Sequence, residues 1–292
     1  MPRIAYVNGR YVPHHEAAVH IEDRGFQFAD SVYEVIALID GRLADKEGHL
    51  DRLERSLREL SISMPMPRRA LELAIGEVVR RNRVKSGSVY MQVTRGVAPR
   101  DFKFPKGVKP SLVMTLRHAN FDIEKRKAAV QKAVTVPDIR WKRRDIKTTA
   151  MVAQVLAKQA AAEKGGYEAW LVDEQGFVTE GSSSNAWIVD KKGTLVTRPT
   201  ANNMILKGVT RSALQALCKK EKIKIAERAF TVKEAYTARE AFTSSAVALI
   251  VPIVAIDDKT IGSGKTGTLT AKLMDMYMAY AAGNRQERWG PE

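Results

Sequence analysis

Apolar and polar residues alternate from the start of the chain. IAYVNGRYV sets apolar residues on both sides of Asn8-Gly9, and SVYEVIALIDGRLAD does the same around Asp40-Gly41. Such pairs between alternating runs predict hairpins, because both residues tolerate the positive φ of a tight turn. The period then changes. Leu50, Leu53, Leu57 and Leu60 recur at spacings of 3, 4 and 3, which predicts an amphipathic helix ended by Met64-Pro65-Met66-Pro67. Residues 68 to 82 predict a second helix with Leu71, Ala74, Ile75 and Val78 on one face. SVYMQVTRG and SLVMTLRH read as strands around the loop APRDFKFPKGVKP. Residues 1–118 therefore predict a small α+β domain.

ANFDIEKRKAAVQK is polar and lacks a strand pattern, so residues 119–130 are the expected interdomain linker. Residues 131–292 predict a C-terminal domain. It opens with the strand AVTVPDI and a helix over about 149 to 164, stopped by Gly165-Gly166. The strand pair YEAWLVDEQGFVTEG, the strand SNAWIVD, the turn KKG and a helix over about 209 to 221 follow, before a last strand-and-helix section.

Composition narrows the function classes. The 292 residues suffice for one large domain or two ordinary ones, and 45% hydrophobic with 28% charged residues is a globular balance. No run approaches the roughly 18 apolar residues of a membrane-spanning helix, and the N-terminus shows no apolar secretion signal, so a cytoplasmic location is expected. The single cysteine, Cys218 in ALQALCKK, reads as a small core residue. The net charge of +15 raises nucleic acid as a partner. Yet there is no zinc-finger spacing, RNP-like strand or long basic tail, and the same balance suits an enzyme holding a phosphate and dicarboxylates. No nucleic-acid partner is expected. IGSGKTG at 261 to 267 fails as a phosphate loop, since Lys259 stands where glycine is needed. No metal is expected either; His14-His15 has no partner ligand in sequence.

Three stretches offer chemistry. In RRDIKTTAMV, Lys147 falls at the foot of the expected helix, where the backbone field and inward-pointing Arg143 and Arg144 would favour a neutral, nucleophilic amine. The plainer alternative is a solvated lysine. In VTEGSSSN, Glu180 is either an acid in a polar turn or a carboxylate held against a cationic ring nitrogen. Possible phosphate grips are Gly208-Val209-Thr210 at a helix start, the hydroxyls of Thr243-Ser244-Ser245, and Arg52 beside the leucine stripe. Each has a structural alternative: a helix cap, a turn and a surface ion pair.

EDRGFQFADSVYEV, HLDRL, YMQVTRGVAPR, DIRWKRRDIKT, YEAWLVDEQGFVTEGSSSN and NNMILKGVTR occur in this order. Together they resemble the fold type IV pyridoxal-phosphate enzymes, most closely the D-amino acid aminotransferases, over residues 4 to about 285. The resemblance implies a two-domain α+β fold, with a small N-terminal α/β sandwich and a larger C-terminal pseudo-barrel. It implies pyridoxal 5'-phosphate bound to Lys147 as a Schiff base and Glu180 paired with the pyridine nitrogen. Arg52, Val209, Thr210, Ser244 and Ser245 would hold the phosphate, and Ser182 and Ser183 would line the pocket. Tyr33 and Arg100 would grip the substrate carboxylate, with Lys103 nearby. The arginine-bearing loop would reach a neighbouring subunit's site, which implies a homodimer. The implied reaction moves an amino group between a D-amino acid such as D-alanine and a 2-oxo acid such as 2-oxoglutarate. One departure is Phe102, where the family pattern has a histidine two residues after the loop arginine; a phenyl ring cannot donate a hydrogen bond. Alternatives within the fold are a branched-chain L-aminotransferase, an (R)-selective amine transaminase and an aminodeoxychorismate lyase. Outside it stand a nucleic-acid-binding protein and a non-catalytic scaffold.

Overall fold

The computed structural model describes residues 3–129 and 131–283. Val130 of the expected linker and residues 284–292 of the expected C-terminal domain lie outside the described residues. The chain divides into two units, each considered by itself.

Of the described residues, the first unit takes 3–121, the short segment Ile146–Ala150 and 281–283. Its elements are β1 (Ile4–Val7), β2 (Arg10–Pro13), α1 (Arg24–Phe28), β3 (Ser31–Ile39), β4 (Arg42–Leu43), α2 (Lys46–Glu59), α3 (Arg68–Asn82), β5 (Gly87–Thr94) and β6 (Ser111–His118). The strands form one antiparallel sheet in the order β2-β1-β6-β5-β3-β4. Asn8-Gly9 and Asp40-Gly41 turn the two hairpins, all four residues with positive φ. The leucine stripe of α2 and the apolar face of α3 close over Val32, Ile36, Leu38, Val89, Met91 and Val93 of the sheet. Each fully buried leucine or isoleucine there contributes about 1.5–3 kcal/mol.

The second unit takes Asp122–Asp145 and Met151–Tyr280. Its elements are α4 (Ile123–Ala128), β7 (Lys132–Pro137), α5 (Val152–Glu163), β8 (Glu168–Val172), β9 (Val178–Gly181), β10 (Asn185–Val189), β11 (Leu195–Thr197), α6 (Val209–Lys220), β12 (Ile225–Glu227), α7 (Val232–Tyr236), β13 (Glu240–Ser245), β14 (Leu249–Pro252), β15 (Ala255–Ile256) and β16 (Lys259–Thr260). The last helix, α8, spans Thr268–Gly283. Two five-stranded sheets, β12-β11-β10-β13-β14 and β16-β15-β7-β8-β9, share a core built on Trp170, Val178, Ile188, Val196, Phe230 and Ile256.

Three features depart from the sequence's expectations. Residues 119–130, expected as a linker, carry α4, whose N-cap Asp122 accepts from the Lys125 backbone N–H at 3.0 Å. The C-terminal division is interrupted, because Ile146–Ala150 returns to the first unit. The third concerns the helix expected from about residue 149, which begins only at Val152. Residues 147–149 instead lie along β3: Tyr33 N–H donates to the Lys147 carbonyl at 3.0 Å and Thr149 N–H to the Ser31 carbonyl at 3.2 Å. Ile146, Thr148 and Thr149 are β-branched and suit an extended backbone.

Candidate active site

Lys147 stands on that extended segment of the first unit. The helix-field argument for it does not hold, because the field fades beyond a helix's first turn and α5 starts later in the chain. Nor does Arg143 add to it, since its guanidinium pairs with Asp145 at 3.0 Å; Arg144 pairs with Asp138 at 3.2 Å. What the amine meets is the Tyr33 ring, with Nζ 4.1 Å from the ring centroid. Tyr33 in turn stacks on Tyr90 at 5.7 Å. Among the described residues of this unit, no carboxylate pairs with the Lys147 amine. Its backbone N–H donates to Ser56 Oγ on α2 at 3.4 Å.

One helical turn before Ser56 is Arg52. It is not a surface ion pair. Its Nε and Nη2 each lie 2.7 Å from an oxygen of Glu34, whose side chain is fully buried, and His49 Nδ1 lies 2.7 Å from the same carboxylate. Burial alone would push the Glu34 carboxyl up; Arg52, and then His49, outweigh that and hold it at about 2. The His49 pKa is lowered, chiefly by burial, against the pull of Glu34.

The loop after β5 carries Arg100 and Phe102, both exposed. The Arg100 guanidinium lies 5.0 Å from the Phe28 ring centroid and 5.6 Å from that of Phe102. Phe102 therefore offers an aromatic face where the expected histidine would have offered a donor.

In the second unit Glu180 lies near the end of β9, buried. One of its oxygens accepts from Arg140 Nη1 at 2.5 Å, the other from Asn185 Nδ2 at 3.0 Å, and the Leu206 N–H reaches both. Burial raises the Glu180 pKa, and Arg140 and the Leu206 amide offset only part of that. Arg140 is itself held by Asp138 at 2.8 Å. Asn185 also donates to the Leu206 carbonyl at 3.0 Å and faces Ser244 across the β10–β13 ladder. A Cβ added at Gly208 would stand 2.0 Å from Asn185 Oδ1, so that approach admits only glycine. Gly208 is the N-cap of α6 and supplies no side-chain cap for its first N–H groups. Thr210, in that first turn, has a buried hydroxyl with no hydrogen-bond partner among the described residues. The Ser244 hydroxyl accepts from Trp187 Nε1 at 2.9 Å, which leaves its own proton to donate. Ser245 Oγ accepts from the Ala248 N–H at 3.3 Å. Ser182 and Ser183 both donate to the buried Glu168, at 2.5 and 3.2 Å, as does Ser184 at 2.8 Å.

The structure thus joins Lys147 with Tyr33 in one unit, and Glu180 with Ser244 and the α6 start, through Asn185 and Leu206, in the other. Glu34, His49, Arg140, Asn185 and Glu168 were not singled out from the sequence. For Glu34 a signal existed. It shares strand parity with Val32, Ile36 and Leu38, so a carboxylate sits in a series of core positions and demands a partner.

A family model described as Amino-transferase class IV matches residues 31–256. The chain is 38% identical to a D-alanine aminotransferase of Bacillus licheniformis, over 90% of this chain and 92% of that one. It is 36% identical to a D-alanine aminotransferase of Staphylococcus haemolyticus, over 94% and 96%. Among solved structures, the branched-chain amino acid aminotransferase of Escherichia coli superposes with a TM-score of 0.88 at 22% identity, covering 99% and 98% of the two chains. The T.th. branched-chain amino acid aminotransferase, complexed with N-(5'-phosphopyridoxyl)-L-glutamate, superposes with a TM-score of 0.87 at 25% identity, again covering 99% and 98%.

Proposed function

The chain belongs to the amino-transferase class IV family, and on that footing we propose that it transfers an amino group between a D-amino acid such as D-alanine and a 2-oxo acid such as 2-oxoglutarate, with pyridoxal 5'-phosphate as cofactor. The observation that carries the reading is the Lys147 amine set against Tyr33, in a chain whose similarity to the D-alanine enzymes runs through both units. A similar solved structure holds a phosphopyridoxyl amino acid.

The second unit's residues fit such a cofactor. Glu180 is a buried carboxylate raised by burial, so a cationic ring N–H would relieve the cost of its charge. The uncapped α6 N-terminus, the unpartnered Thr210 hydroxyl and the Ser244 proton are donors suited to a phosphate. When bound, pyridoxal phosphate supplies an aldehyde that captures amines and a ring that draws electrons from the substrate Cα.

In this reading Lys147 would tether the cofactor between turnovers, and its amine would take up the proton from the substrate Cα. Glu180 holds the ring nitrogen. Arg52, Val209, Thr210, Ser244 and Ser245 hold the phosphate, with Arg52 oriented by its two bonds to Glu34. Ser182 and Ser183 line the site with hydroxyl protons committed to Glu168, so their oxygens remain as acceptors. Arg100 and Tyr33 bind the substrate carboxylate, and Phe102 adds an apolar wall. The working form is a homodimer in the cytoplasm, with no nucleic-acid or membrane partner.

The test offers purified protein D-alanine, L-leucine and (R)-1-phenylethylamine, each with 2-oxoglutarate. D-Alanine should turn over best; turnover of L-leucine alone overturns the D-specific reading. Lys147→Ala should abolish transamination and the pyridoxyl label that borohydride leaves on the peptide containing residue 147, with the fold retained by circular dichroism. Full activity in that variant removes Lys147 from the mechanism.

A further inference from the structure

Arg100 makes no hydrogen bond or ion pair of its own among the described residues; what holds it is aromatic. The rings of Phe28 and Phe102 lie 5.5 Å apart, and the guanidinium is within 5.6 Å of both centroids. A guanidinium resting on ring faces keeps its in-plane N–H edge for a bidentate carboxylate. Phe102 is 79% exposed, whereas Phe28 is half-buried in α1, so Phe28 is the fixed support of the two.

The same short helix holds the loop's backbone. Arg24, buried at its first position, donates from Nη1 to the carbonyl of Asp101, the residue next to Arg100, at 2.5 Å. Its Nε donates to Asp30 at 2.9 Å, and its guanidinium lies 4.8 Å from the Phe28 ring. Asp30 is anchored in turn by Arg95, at 2.7 and 3.0 Å, and Arg95 also donates to the carbonyls of Leu60 and Ser61. At the stem of the loop, Arg24 N–H donates to the Gly96 carbonyl at 2.9 Å and Ala98 N–H to the Glu22 carbonyl at 3.3 Å.

We infer that Arg24 and Phe28 are positioning residues for the substrate carboxylate: Arg24 sets the place of the Arg100 backbone through Asp101, and Phe28 sets the plane of the Arg100 guanidinium. With Phe102 contributing no donor, the charged part of the grip on the carboxylate rests on Arg100, beside the Tyr33 hydroxyl, and the orientation of Arg100 rests on α1. This rests on the reading of Arg100 as the carboxylate ligand.

Steady-state kinetics of the cofactor-loaded enzyme with D-alanine and 2-oxoglutarate tests it. Phe28→Leu should raise the KM for D-alanine about three- to tenfold, the range of a lost cation–π support, with kcat changed less than about twofold, the signature of lost uniform binding. Phe28→Tyr keeps an aromatic face and should keep the wild-type KM. Arg24→Lys keeps the charge but not the two-pronged reach to Asp30 and Asp101, and should raise KM in the same way. A merely structural role would reduce the active fraction, and so apparent kcat, without moving KM. An unchanged KM in both Phe28→Leu and Arg24→Lys, alongside a raised KM in Arg100→Ala, overturns the inference and leaves the function standing. An unchanged KM in Arg100→Ala overturns the Arg100 assignment, and the inference with it. Absence of D-alanine turnover in the wild type overturns the proposed reaction itself.

Discussion

Glu34 is the residue at which burial and charge compete most sharply. Its carboxylate is fully buried between the Arg52 fork and His49. Removing it would leave a guanidinium almost buried without its main counter-charge, so Glu34→Ala should cost about 3–5 kcal/mol in urea unfolding. The pH dependence follows from the signs. The folded Glu34 pKa, about 2, lies below the ordinary 4.5, so its contribution is complete above pH 4.5 and is lost as pH falls towards 2. His49 has a folded pKa below the ordinary 6.5, so the unfolded chain takes up its proton first and stability begins to fall as pH drops through 6.5. The unfolding midpoint should therefore decline in two stages on the acid side, and Glu34→Gln should flatten the lower one. A midpoint flat from about pH 7 to about pH 3 in the wild type would count against both assignments. The sequence carried the warning of Glu34's parity on β3, but nothing local names Arg52 and His49 as its partners. Cys218 was the easier case. Set in an apolar helical run, it is buried, and burial pushes its thiol up to about 11, which makes it a poor nucleophile.

Among the elements, α2 and α3 were legible, because a leucine stripe and an apolar face are local facts; α3 spans the expected 68 to 82, while α2 ends at Glu59, before the proline stop. The helix after Lys147 was not. Its start was placed too early because the apolar pattern of α5 runs back into a segment whose backbone bonds belong to β3. A strand edge supplied by residues more than a hundred positions earlier leaves no mark on periodicity. The loop bearing Arg100 shows a similar dependence at Gly96. Its φ is +105°, and an added Cβ would meet the Lys109 carbonyl oxygen at 2.1 Å. Gly96→Ala should therefore cost at least about 1–3 kcal/mol of strain, read as a lower urea midpoint. A midpoint equal to wild type would show that the turn relaxes freely.

For the whole molecule, composition excluded more than it assigned. The charge of +15 raised nucleic acid as a partner with no motif to support it, and no helix of the described residues is long and apolar enough to cross a membrane. The proposed homodimer predicts a sedimentation mass twice that of one chain, unchanged between low and moderate salt. A single-chain mass at micromolar concentration would sink it, and with it the idea that Arg100 serves a neighbour. The run of strands and helices before residue 118 and the mixed order after it predict a division there. The return of Ile146–Ala150 to the first unit leaves no such trace, because five residues are too few to carry a pattern of their own.

Hairpins, amphipathic helices, the globular class and the order of the motifs were settled by the sequence itself, because turn chemistry and hydrophobic period act over a few residues. Tertiary structure alone decided which charges neutralise one another, Glu34 with Arg52 and Glu180 with Arg140, and that three serines satisfy Glu168. It also decided that Lys147 meets an aromatic ring rather than a helix end. The cost of burying a charge depends on every group around it, and most of those groups come from distant parts of the chain.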